Sequence, residues 1–160
     1  MITTVVLVAV MLLLAAAAVQ DVYQLRISNV FPVAIFLLFP VYALVRGVDS
    51  TLWQNATVFL AVLALGILAF GARWLGGGDV KLLAAIALWF DITGAAWLIG
   101  AVALLGAAIA LLFIFFRRVI PEPALLRSGM VSLKRRGPIP YGLGIAGGAI
   151  AAIAAGHVHP

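Results

Sequence analysis

Six apolar runs constrain this chain more than any other feature: Ile2–Val19, Val30–Val45, Leu52–Ala72, Val80–Phe90, Ala95–Phe116 and Tyr141–Gly156. A soluble domain of this size has no interior large enough to hide so much apolar surface, so lipid must solvate it. Composition agrees, with 66% of residues hydrophobic and 9% charged, against about 25% charged in soluble domains. The runs predict an all-α, polytopic membrane helix bundle of about six transmembrane helices. It forms a single domain over residues 1–160, with a basic loop at 117–140 inside it.

Two runs need argument. Ile2–Val19 has small residues at Ala15–Ala18 that would suit a signal-peptidase site, but no Lys or Arg precedes it. A secretory signal needs that positive segment, so a retained helix is expected. Val80–Phe90 has 11 residues, roughly 17 Å of helix against a hydrocarbon core of about 30 Å. One helix from Val80 to Phe116 would be too long and would enclose Asp91. A short fourth helix is therefore predicted, lengthened by the preceding glycines and buried against neighbours or matched by bilayer thinning.

Basic residues set the expected orientation. Nine of the ten Lys and Arg (Arg26, Arg73, Lys81, Arg117, Arg118, Arg127, Lys134, Arg135 and Arg136) fall near the loops after helices one, three and five. Arg46 alone falls on the other side. The positive-inside rule then puts both termini outside and Asp21 and Asp79 on the cytoplasmic side. The charge belongs to this topology and not to nucleic-acid binding. Pro123–Leu133 fits a short surface helix or a solvated tether. Trp53, Trp74, Trp89 and Trp97 fit an aromatic belt. His157 and His159 fit an exposed, frayed tail.

The chain has five acidic residues: Asp21, Asp49, Asp79, Asp91 and Glu122. Asp49, Asp91 and Glu122 lie in loops with ordinary solvated roles. Asp21 and Asp79 meet helix ends at membrane depth, where ionisable groups are costly and point to function. Cysteine is absent, which removes thiolate nucleophiles and Cys-based zinc sites. No metal site and no cofactor is expected.

Three motifs surround the pair. Asp21 begins Asp–x4–Arg–Ile–x–Asn, with Arg26 and Asn29, after helix one; Gly76, Gly78, Asp79 and Lys81 form Gly–x–Gly–Asp–x–Lys before helix four; and Pro140, Tyr141 and Gly142 open the last helix. In this set and order the chain resembles the type IV prepilin peptidases, a branch of the GxGD intramembrane aspartic proteases. It looks most like the compact TadV/CpaA-type enzymes of Flp/Tad pili, with the archaeal preflagellin peptidases as close cousins. The resemblance implies Asp21 and Asp79 as catalytic, an inner-membrane location, and a prepilin-like substrate with a basic leader cut at the cytoplasmic face. It implies no methyltransferase activity, because the cysteine-rich insertion of the larger enzymes is missing.

The residues support the same chemistry. Two carboxyls sharing one proton provide a base to activate water and an acid to protonate the amide, since like charges push one pKa up. Gly76–Gly78 are expected to adopt backbone angles closed to other residues. No Gly-Lys-Ser/Thr follows them, which removes a phosphate-loop reading. Arg26 and Lys81 fit either topology charges or a bias on the aspartates, and Asn29 fits a cap of helix two. Two other readings stay open: a proton-coupled transporter using the same aspartates, and an assembly subunit packing through small-residue faces.

Overall fold

A computed structural model describes residues 1–47, 52–119 and 139–158. It holds six described helices: α1 (Ile2–Gln24), α2 (Val30–Arg46), α3 (Leu52–Gly71), α4 (Gly77–Ala87), α5 (Ile92–Val119) and α6 (Tyr141–Ala154). The protein is an all-α membrane helix bundle. Three of these helices, Ile2–Gln24, Leu52–Gly71 and Ile92–Phe116, are long and apolar enough to cross a membrane. Residues 120–138 of the 117–140 loop, with the expected surface helix at 123–133 and Glu122, lie outside the described residues, as do Asp49 and His159.

The two shortest helices form the middle. α4 packs against α3, α2 and α6, while α6 packs against α5, α1 and α4. A helix of 11 residues cannot cross a bilayer alone, but one walled by protein need not match its thickness. From Val80 onward α4 is buried almost all round, and Leu88, Trp89 and Phe90 continue that burial past its end. The end of such a helix leaves carbonyls without helical partners, which is costly away from water. Asn55 answers this from α3, its Nδ2 donating to the Leu88 carbonyl at 3.1 Å.

Trp89 departs from the belt expectation. It is fully buried, packs edge-on against Phe39 and beside Tyr42, and its indole N–H donates to the Ile35 carbonyl at 3.3 Å. It follows a helix that stops inside the bundle, so its ring meets protein and not the lipid interface. Trp53, Trp74 and Trp97 are exposed. His157 also departs from expectation. Its ring stacks on Trp97 with centroids 4.8 Å apart and planes 7° from parallel, and Val158 beside it is buried.

Small residues on α6 let its neighbours come close, as is usual for helices packing in lipid. A Cβ on Gly144 would lie 2.7 Å from the Gly106 Cα, and one on Gly148 would lie 2.5 Å from the Val102 backbone nitrogen. α1 packs against α6 and α2, and its buried side is a stripe formed by Val6, Val10, Leu14, Ala17 and Ala18. Steps of three and four keep that stripe on one side of the helix. Its next member is Asp21.

Candidate active site

Asp21 lies in the last turn of α1 and not in the loop after it, because the helix continues to Gln24. Leu25 ends the helix in the left-handed region (φ 52°), its N–H donating to the Asp21 carbonyl at 2.8 Å. The turn that follows is pinned from behind: the Ser28 N–H donates to Gln20 Oε1 at 2.8 Å. The buried stripe carries the Asp21 carboxyl inward, where it is 5% exposed, and Oδ2 accepts the Gly142 N–H at 2.8 Å. That amide belongs to the first turn of α6, whose N–H groups have no helical partner and favour a carboxylate.

Asp79 lies in the first turn of α4, ahead of the apolar run that starts at Val80 and outside the membrane-spanning helices. Its Oδ2 accepts the Gly76 N–H at 3.1 Å, the carboxylate half of a capping arrangement. α4 is seated beside it by Gly66 of α3, where an added Cβ would fall 2.7 Å from Val80 Cγ1. Burial pushes the Asp79 carboxyl up to about 6, and the negative charge of Asp21 adds to the rise.

The glycines do not work through unusual backbone angles. Gly76 has φ −74°, and among the described glycines only Gly47 and Gly156 have positive φ. Close approach explains them instead. A Cβ at Gly76 would lie 2.8 Å from Asp79 Oδ2, and one at Gly142 would lie 2.8 Å from both Asp21 Oδ2 and Ile27 Cδ1. A Cβ at Gly78 would lie 3.0 Å from Ile27 Cβ. Ile27 therefore sits between the second and third motifs and joins all three. If Asp21 is a reacting group, as the resemblance implies, Gly142→Ala is expected to shift it and lower activity about 10²-fold, the usual cost of misplacing such a group by about 1 Å. Initial rates against the parent chain, with helix content followed by circular dichroism, check this.

Asn29 occupies the N-cap position of α2, but its side chain makes no cap bond. Its Oδ1 instead accepts from Lys81 Nζ at 3.0 Å, tying α2 to α4. Lys81 thus has a carbonyl-type partner, and Arg26 lies exposed on the cavity wall. Pro140 is buried at the N-cap of α6, and Tyr141 is exposed beside it. Asp91 receives the Gly94 N–H at 2.6 Å and serves the start of α5. Among the described residues no group of three or more His, Cys, Asp or Glu could hold a metal ion.

Asp21 and Asp79 line one cavity of about 670 Å³, together with Gln20, Gln24, Ser28, Asn29 and Lys81. A second depression of about 730 Å³ shares Asp21, Leu25, Gly76 and Asp79 with the first, and continues over Phe70, Trp74, Leu75, Ile139 and Tyr141. The aspartates thus stand where a polar chamber meets an aromatic one. Gln20 had no motif to mark it, and its role emerges only from the turn that it holds.

Known proteins bear on this arrangement through one match. The family model of the type IV leader peptidases matches residues 8–130, a stretch that includes both aspartates and ends ahead of Pro140. No match is found among curated proteins or among solved structures. The model match covers most of the 160 residues, and the chain belongs to the type IV leader peptidase family.

Proposed function

We propose that this peptidase is an aspartic endopeptidase of the GxGD type, with Asp21 and Asp79 as its catalytic pair. The observation that carries this reading is the single cavity that both aspartates line. One carboxylate takes a proton from water as the oxygen attacks the scissile carbonyl. The other carboxyl, protonated, gives its proton to the substrate as the carbon becomes tetrahedral. Collapse breaks the C–N bond, and the proton taken from water passes to the departing amine. No acyl-enzyme forms along this route. The elevated Asp79 pKa supports the assignment, because it keeps one proton on the pair into the weakly acidic range.

The proposed substrate is a prepilin-like protein with a basic leader, cut just after a glycine and just before its apolar segment. Cleavage falls at the cytoplasmic face of a bacterial inner membrane, with both chain ends outside. The short α1–α2 connection and the absence of cysteine favour the compact TadV/CpaA-like branch without methyltransferase activity. A polypeptide crossing from one chamber to the other passes over both aspartates. The transporter reading is weaker, because the buried Asp21 and half-buried Asp79 share one cavity and no third carboxylate continues a path among the described helices.

The test is to reconstitute the chain with a leader-bearing prepilin and map the new N-terminus by mass spectrometry. An uncut substrate, together with proton flux across the vesicle, would sink the protease assignment. A second readout is pH. Asp79 holds its proton below about 6, so the singly protonated pair declines as pH rises through that value. The rate at saturating substrate is expected to fall over the same range, up to about tenfold per pH unit well above it. A rate that climbs steadily from pH 6 to 9 would contradict this.

A further inference from the structure

A third cavity, of about 440 Å³, lies between α2, α3 and α4. α2 forms one wall through Pro32, Val33 and Phe36, α3 forms the other through Phe59 and Leu63, and Ala84 and Ala85 of α4 form its floor. Its ends differ. Asn29 and Lys81 stand at one end, joined by their 3.0 Å hydrogen bond, and both also line the polar chamber that holds Asp21 and Asp79. The rings of Phe36 and Phe59 meet at the other end, with centroids 5.5 Å apart. Asn29 and Phe36 are seven residues apart on α2, about 10 Å along its axis, or two turns of a helix laid beside it.

We propose that this groove seats the apolar helix that follows the scissile bond of the substrate, and that the Lys81–Asn29 pair marks where that helix unwinds toward the aspartates. The proposal rests on the leader-peptidase reading above and deepens it. Continuity selects the occupant. The groove is apolar along its length and opens at its polar end into the chamber with the two carboxyls. A leader-bearing substrate has the same layout, an extended cleavage site joined to an apolar helix. The alanine floor lets a second helix approach closely, which is how helices pack where lipid removes any hydrophobic drive between them. Phe36 and Phe59 limit the contact to the first two turns, leaving the remainder of the substrate helix to lipid.

The chain has no cysteine, so one introduced thiol gives an unambiguous cross-link. Val33→Cys places it on the exposed groove rim, and Leu104→Cys places it on the exposed face of α5. Each is combined with Asp79→Asn to retain a prepilin carrying a single cysteine within two turns after its cleavage site. Cross-linking in membranes with a short bis-maleimide is expected to favour the Val33 position over the Leu104 position by about tenfold or more. Equal yields at both positions, or a Val33 product made only with a second copy of the chain, would overturn the docking proposal. So would labelling of the same position by a photoactivatable acyl-chain phospholipid that excess substrate does not displace. Processing by the parent chain is measured alongside. No processing removes the peptidase reading, whereas processing without the Val33 cross-link removes only the groove assignment. Val33→Trp supplies a kinetic arm. It is expected to slow cleavage of the helix-bearing substrate about tenfold more than cleavage of a peptide truncated shortly after the scissile bond. Equal slowing of the two would count against docking.

Discussion

Replacing either Asp21 or Asp79 by Asn is expected to lower leader processing by about 10³-fold or more, within the range for losing a positioned acid or base. Asparagine keeps the shape of the side chain and an oxygen for the amide that each carboxyl receives, from Gly142 and from Gly76. It removes the ability to take up or hold a proton. The loss therefore separates chemistry from folding, and the double variant is expected to be no slower than the slower single one, because the pair acts as a unit. Stability should not fall with activity at Asp79. Burial raises its folded-state pKa from 3.8 to about 6, so the ionised group opposes folding at neutral pH, and this penalty disappears only as pH falls through 6 toward 3.8. A neutral Asn at position 79 avoids it. The check is a rate assay run with thermal denaturation in the same detergent. A variant that processes the leader at the parent rate, or one that is inactive only because it has unfolded, would remove the acid–base assignment for that residue.

Gly148→Ala is expected to destabilise the bundle by about 3 kcal/mol, at the high end for overpacking. The added methyl would meet the Val102 nitrogen at 2.5 Å and its Cα at 2.6 Å, and these are backbone atoms of α5 that cannot rotate away. Its neighbour Gly147 gives the contrast. A Cβ there has only Leu105 Cδ1 nearby, at 3.6 Å, so Gly147→Ala should be neutral or stabilise by up to about 1 kcal/mol through helix propensity. Midpoints of denaturation for the two variants decide the matter, and equal midpoints would show that α5 and α6 do not pack as closely as these distances require. Activity should follow stability in the Gly148 variant, because α6 also carries the amide that holds Asp21.

The helices were legible because each apolar run ends at a charge, a glycine or a proline, and their observed ends lie within a few residues of those marks. α4 shows the limit. Its glycines lengthen the helix as expected, but not through unusual backbone angles: Gly76, Gly78 and Gly142 make room for carboxyls and for Ile27. Close approach depends on what stands opposite, and a single chain read in order does not display its opposite wall. The inward face of α1 was hidden for a related reason. Leucine, valine and alanine cover all its sides, so no polar face reveals which stripe meets protein and which meets lipid. Nothing in the sequence marks Asn55, because its purpose arises only where α4 stops. The aspartates themselves were conspicuous, since charge is rare in this chain. The amide that holds Asp21 comes from α6, whose return beside α1 no local pattern encodes.

That return has a consequence in time. Asp21 and the Gly142 amide that receives its carboxyl are 121 residues apart, and a ribosome makes the first long before the second. While α1 to α5 are being inserted, the aspartate has no partner from α6, and the central place that α6 fills stands open. A nascent chain can thus occupy the membrane without possessing a finished site. On the proposed mechanism, competence to cut arrives with α6.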